Sequence, residues 1–195
     1  MKAVERLKVT AMPQLITLDD AEVKHAIAEC KAKSREAKVV EPLSSHVSLL
    51  DLDTPAGGYY FLFDTVKSEV LYLVRYKLVE LHEKLALPSG KAYRQVLVWR
   101  NSGDALTTKI AEKVFWQYLY PKYRCLVSDS QQSEKGKEFW QYQVSNALEK
   151  KMTVKVVNTN DWVSTTITSM VQLSEISSKV WGKPEWFRRM VIVIY

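Results

Sequence analysis

The chain has 195 residues, of which 47% are hydrophobic and 26% charged, and it carries a formal net charge of +6 at pH 7. That balance suits one globular domain over residues 1–195 and excludes a disordered chain or a disulfide-stapled miniprotein, since a chain of this size buries roughly 70% of the surface its unfolded form exposes. Cys30 and Cys125 lie far apart in no metal or redox spacing, and His25, His46 and His82 are scattered, so no metal site is expected and the thiol usage points to a reducing cytoplasm.

The first predicted element is a helix from Leu18 to about Lys38. Val23, Ile27 and Cys30 fall on one face, and Lys24, Lys31 and Arg35 on others. Thr17 or Asp19 can cap it, and Asp20 and Glu22 complement its positive end. Leu43 to Asp53 reads as irregular to extended, broken by Pro55-Ala56-Gly57-Gly58. A hairpin follows, Tyr59 to Asp64 and Glu69 to Leu78, turning through Thr65-Val66-Lys67-Ser68. Its second strand is apolar on both faces, as for an interior strand. After Pro88-Ser89-Gly90 a third strand covers Gln95 to Trp99.

From there helices and strands alternate. Leu106, Ile110, Val114 and Phe115 form the apolar stripe of a helix expected to end before Pro121. Cys125 to Ser128 is a short strand, and Gly136 to Lys150 a helix with Phe139, Trp140, Val144, Ala147 and Leu148 facing inward. Met152 to Val157 is another strand, Trp162 to Trp181 part loop and part helix, and Trp186 to Tyr195 the closing strand. The order predicts an α/β chain with an open mixed sheet and helices on both faces. Residues 1–55 form a helical N-terminal part and connection, and 56–195 the rest. The apolar runs are strand-sized and the basic residues 1–10 lack an apolar core, so neither a membrane span nor a signal peptide is expected. The positive charge is a mild pull toward an acidic protein, a nucleic acid or a phosphorylated cofactor, although acidic residues are interleaved throughout.

The sharpest local feature follows the strand Val96-Leu97-Val98-Trp99. Arg100-Asn101-Ser102-Gly103-Asp104-Ala105 leads straight into a helix. A strand, a tight loop and a helix start together make an anion site, because free backbone N–H groups point outward and the helix dipole adds positive potential. Gly103 allows close backbone approach, and Thr107, Thr108 and Lys109 can add donors and charge. An ordinary turn capped by Asn101 or Ser102 accounts for the same residues.

The run Arg100-x-x-Gly103-x-Ala105 resembles the Gln/Arg-x-x-Gly-x-Gly/Ala pyrophosphate loop of the GNAT acyltransferases. The order helix, hairpin, strand, motif, helix, strand, helix, strand, strand is similar to that family's across residues 12 to 195. The resemblance implies a GNAT-like fold with acetyl-CoA or another acyl-CoA as cofactor. It puts backbone groups of Arg100, Asn101, Ser102, Gly103, Asp104 and Ala105 on the pyrophosphate, and splayed strands near Trp99 and Val127 around the pantetheine. In the same alignment Ser133 stands where the family has an Asn that holds the pantetheine arm, Gly136 fits a small position, and Trp140 takes the place of the Tyr that protonates the departing thiolate.

An indole N–H cannot act as a general acid near neutral pH. Tyr142 is close in sequence, but about 200° around a helix from Trp140. Ser128, Ser133 or a water held by Asp129 are the other candidates for proton transfer. For deprotonating an incoming amine the candidates are Asp129, Asp64 and His46, with Asp129 first because it follows the strand expected to splay. Each has a bland alternative: loop cap, turn initiator and surface residue. Tyr59-Tyr60, and Trp186 beside Arg188 and Arg189, could stack on bases or grip a peptide, although aromatic stripes on strands also build cores. Three readings stay open: an N-acyltransferase acting on an amine of a macromolecule or small molecule, a non-catalytic GNAT-like module that binds protein or nucleic acid, and a nucleic-acid base-modifying enzyme on the same fold. The size and charge also suit a phage or mobile-element protein.

Overall fold

Among the described residues nine strands, numbered in chain order, share one sheet in the order β1-β2-β3-β4-β5-β6-β9-β7-β8. The computed structural model describes residues 21–85, 91–100, 109–128, 134–181 and 190–195. The strands are β1 (Lys38–Pro42), β2 (Val47–Thr54), β3 (Gly57–Asp64), β4 (Glu69–Glu80), β5 (Lys91–Arg100), β6 (Leu126–Val127), β7 (Val154–Asn158), β8 (Ser164–Ile167) and β9 (Met190–Ile194). The helices are α1 (Ala21–Ala32), α2 over 110–123, α3 (Glu134–Glu149), α4 (Met170–Glu175) and α5 (Ser177–Trp181). Every strand pair is antiparallel except β5 and β6, which run parallel. The expected mixed sheet with helices on both faces is what forms. Among the described residues no helix is long and apolar enough to cross a membrane.

All eight residues of β3 are buried, so this strand lies at the centre with a covered layer on either side. Its alternation sends Tyr59 toward α1 and Tyr60 toward α2. On the first face, Val23, Ala26 and Cys30 of α1 are buried, Tyr59 Oη donates to Glu29 Oε2 at 2.8 Å, and Arg75 Nη1 donates to Glu22 Oε1 at 2.8 Å. Burial, then the Glu29 bond, pushes the Tyr59 hydroxyl up to about 12. On the other face the Tyr60 and Tyr118 rings stack with centroids 5.5 Å apart, and Phe115 of α2 meets Trp140 of α3 edge-on at 5.3 Å. Burial pushes the Cys125 thiol up to about 12 and the Cys30 thiol up as well, which leaves both unreactive.

Several sequence expectations change. The first helix ends at Ala32, and the segment from Lys38 is an edge strand, because Val39 and Val40 suit a sheet and the segment pairs along β2, Val39 opposite Leu50 and Glu41 opposite Leu49 with a bulge at Val40 between them. The stretch from Trp162 to Trp181, read as part loop and part helix, also holds the strand β8, which pairs with β7 through Thr165 opposite Val156. The segment read as irregular to extended from Leu43 to Asp53 is extended from Val47 on, where β2 runs in unbroken register with β3 from Val47 opposite Asp64 to Thr54 opposite Gly57. β3 begins so close to β4 that a Cβ on Gly57, at φ +146°, would sit 2.2 Å from the Tyr76 carbonyl oxygen. Finally, α2 runs through Pro121. Its middle, Val114–Leu119, is a π-helix, and Tyr120 N donates to the Phe115 carbonyl five residues back. That wider register re-phases the ladder before Pro121, whose missing N–H then falls at the start of the last α-helical stretch, Tyr120–Tyr123.

Glu41 ties β1 to α2 by accepting from Lys113 Nζ and from Tyr118 Oη, the latter at 2.8 Å. Lys113, then Tyr118, hold the Glu41 carboxyl below its ordinary range. A carboxyl depressed by folding stabilises the protein above its unfolded pKa, and that contribution is lost as pH falls through the folded value. Glu41→Gln should therefore cost about 1 kcal/mol or less at pH 7 and nothing at pH 3, because the pair is partly exposed. Urea titrations at both pH values measure this, and an equal deficit at pH 3 would count against the ion pair.

Candidate functional site

The arrangement of β5 and β6 is the feature most able to hold a ligand. The two strands pair only at Tyr93 opposite Leu126 and Arg94 opposite Val127, with Tyr93 N donating to the Cys125 carbonyl at 3.1 Å. Ser128 continues the pairing of β6 with β9: Ser128 N donates to the Ile192 carbonyl at 2.9 Å, and Ile192 N donates to Ser128 Oγ at 2.8 Å. β5 continues to Arg100, paired with β4 through Trp99 opposite Leu73 and Arg100 opposite Tyr72. The described contact between the two parallel strands is therefore short, and the residues that follow Ser128 lie outside the described ones.

Trp99 and Val127 are buried on neighbouring strands, but not opposite each other: Val127 sits beside Arg94, at the last described β5–β6 pair. Arg94 Nε is buried with no acceptor among the described residues. A buried guanidinium donor without an acceptor is a place for an anionic or carbonyl oxygen to bind. Arg100 ends β5. Asn101, Ser102, Gly103, Asp104, Ala105, Asp129 and Ser133 lie outside the described residues, as do Thr107, Thr108 and Trp186.

At the start of α2 a cleft of about 470 Å³ is lined by Lys109, Lys113 and Lys150, against Glu112, with Trp116 and Leu43 among its walls. Lys109 takes a left-handed φ of 60° immediately before the helix. Lys150 Nζ lies 4.2 Å from the Trp116 ring centroid, and Trp116 Nε1 donates to Gln143 Oε1 at 2.6 Å. Lys113 is already paired with Glu41, so Lys109 and Lys150 against Glu112 supply the surplus positive charge, which next to a helix start makes this cleft mildly attractive to anions. The sequence reading named Lys109 but missed Lys113 and Lys150. The signal was present for Lys113, four residues after Lys109 on the same helical face; nothing local marked Lys150, which arrives from the end of α3.

The two aromatic candidates on α3 point apart, as their spacing required. Trp140 is buried, 1% exposed, between Phe115 and Phe139. Tyr142 is 53% exposed, and its Oη donates to Glu112 Oε1 at 3.4 Å, at the rim of the lysine cleft. Asp64 and His46 meet at the hairpin end, with His46 Nε2 3.9 Å from Asp64 Oδ2. Asp64 Oδ1 accepts from Val66 N at 2.9 Å and from Lys67 N at 3.0 Å. The Lys67 N–H, then the Val66 N–H, hold its carboxyl below the ordinary range, opposed by burial. A carboxylate already used by two backbone donors is a turn anchor and a poor base. Asp64 thus has the bland role open to it from the sequence.

No protein-family model, curated protein or solved structure matches the chain.

Proposed function

We propose that the chain is an acyl-CoA-dependent N-acyltransferase of GNAT type, transferring an acyl group from the thioester to an amine. The observation that carries this reading is the short parallel β5–β6 pair, described at Tyr93 opposite Leu126 and Arg94 opposite Val127, with the Arg100-x-x-Gly103-x-Ala105 loop directly after β5. On this proposal the strands part beyond Val127 and leave backbone N–H and C=O groups free to bond an amide-bearing arm such as pantetheine. The lysine cleft at the start of α2, next to that loop in the chain, supports a phosphorylated ligand. In this reading the amine attacks the thioester carbonyl, the C–S bond breaks, and the amine proton leaves through Asp129 or its water while the thiolate is protonated by Tyr142, Ser133 or a water.

Acetyl-CoA should raise the melting temperature, since a ligand at ~100 times its dissociation constant adds roughly 2.7 kcal/mol to the folded state. An unchanged melting temperature at millimolar acetyl-CoA would end the reading. Asp129→Asn should slow acyl transfer at least about tenfold with little change in acetyl-CoA affinity, and Tyr142→Phe should do so only if that hydroxyl leaves Glu112 and reaches the thiolate. Steady-state rates on any amine that is turned over measure both. Neither change slowing transfer would remove these two residues from the chemistry.

One observation favours a second reading, a non-catalytic binding module. Trp140, at the family's general-acid position, is sealed in the core, and Tyr142 is bonded to Glu112. Acetyl-CoA binding without turnover on small amines, proteins or nucleic acids would select it.

A further inference from the structure

Asp51 and Asp53 stand two residues apart on β2 and so project from one face. Tyr60 of β3, Tyr76 of β4 and Tyr93 of β5 continue that face across the sheet. Tyr76 Oη lies 3.3 Å from Asp51 Oδ1 and 3.1 Å from Asp53 Oδ1, and Tyr60 also bonds Asp51. Lys122, near the end of α2, extends its ammonium over this surface. Its Nζ is 3.4 Å from an oxygen of each aspartate and 5.9 Å from the centroid of each of the three tyrosine rings. Two carboxylates and three ring faces therefore converge on a single cation.

Those distances are long. Charge-assisted N–H···O bonds close to about 2.7–2.9 Å, and ring–cation contacts fade beyond about 6 Å. The cage is wider than the ammonium inside it. Its charge is also unbalanced, because Lys122 is the only described cation within ion-pair distance of either aspartate. The three rings are buried and packed against one another, Tyr60 tilted against Tyr76 and Tyr76 edge-on to Tyr93, whereas the Lys122 and Asp53 side chains are 34% and 62% exposed. The receptor half of the site is thus rigid, and the half that would have to move already faces solvent. The rings, independently of the acidic pair, select a cation on an alkyl chain over a metal ion.

We infer that this cage is a binding site for an alkylammonium group, with Lys122 as its resident occupant. The ligand is an amine on an alkyl chain, the head group that a polyamine or a lysine side chain presents. It displaces Lys122 or shares the excess negative charge with it. Tyr93 links the cage to the β5–β6 pair, since its ring closes one side of the cage and its backbone makes the first β5–β6 pairing. Binding stands without the acyl-transfer reading; naming the bound amine as the acyl acceptor rests on it.

The test needs no cofactor. Lys122→Met keeps the apolar stem and removes the charge. Its melting temperature should fall below that of the wild type, and n-butylammonium should restore it saturably by about 3 °C or more, at ionic strength matched with KCl. The triple variant Lys122→Met, Asp51→Asn, Asp53→Asn should show no saturable rise. Spermidine and Nα-acetyl-lysinamide, run as parallel arms, identify the source by which saturates at the lower concentration. An equal rise in both variants, or none in Lys122→Met, overturns the site. If Lys122→Met does not fold, butylammonium titrated into the wild type should shift the Tyr60, Tyr76 and Tyr93 ring resonances, and unmoved resonances overturn it equally. An absent acetyl-CoA shift alongside a persisting amine shift would remove the acyl-transfer reading and leave the cage.

Discussion

Trp140→Ala lowers the unfolding free energy by about 3–5 kcal/mol, the largest loss expected from any single side chain discussed above. The indole is 1% exposed and meets Phe115 and Phe139 edge-on, with ring centroids 5.3 and 6.1 Å away. It joins α3 to α2, and removing it deletes aromatic contacts from both helices and leaves a cavity that two helices anchored on one sheet cannot close. In a chain of this length the melting temperature should drop by about 10 °C. Tyr142→Ala, two residues away on the exposed face, should stay within about 0.5 kcal/mol. Urea unfolding of both variants makes the comparison, with the m-value checked for constancy. A Trp140→Ala loss below about 1.5 kcal/mol would mean that the ring does not pack as described, and would reopen Trp140 as a residue exposed to a ligand.

The second large effect concerns the ligand. Gly103→Val should abolish the stabilisation by acetyl-CoA, a loss of roughly 2.7 kcal/mol at ~100 times the dissociation constant, while leaving the unliganded melting temperature nearly unchanged. A branched side chain in the loop after β5 keeps a phosphate away from the backbone N–H groups that would hold it. Calorimetric titration of acetyl-CoA into the wild type and Gly103→Val separates binding from folding. Equal affinity in both proteins would show that the loop does not contact the pyrophosphate, and would shift attention to the lysine cleft as an independent anion site. Lys109 and Lys150 face that cleft without a described ion pair, so Lys150→Glu should weaken acetyl-CoA binding only if the cleft contributes.

The amphipathic and alternating segments were legible in the sequence because their signal is local. The inward stripe of α3 is visible as Trp140, Val144 and Ala147 at helical spacing, and all three are buried. The hairpin of β3 and β4 follows from two aromatic, branched runs around one short turn, and the parallel neighbourhood of β5 and β6 from a helix between two strands. What local pattern could not decide was partnership. Lys38–Pro42 is a strand only because β2 offers a free edge, and β2 is regular only because β3 lies beside it in full register. Val156 of β7 meets Ile192 of β9, across a sequence separation that no local periodicity encodes. Pro121 stays within a helix because a π-helical register precedes it, which depends on how α2 seats Phe115 and Leu119 in the core. β6 lies between β5 and β9 because Ser128 and its neighbours bond to β9, whose Ile192 comes some sixty residues later in the chain. The cage around Lys122 is the extreme case: its residues come from four strands and a helix, each ordinary in its own segment. Sequence alone determined the segments with a strong local pattern, α3 and the β3–β4 hairpin, since that pattern depends on near neighbours along the chain. The tertiary structure alone decided which charges and rings meet, since that depends on which strands share an edge.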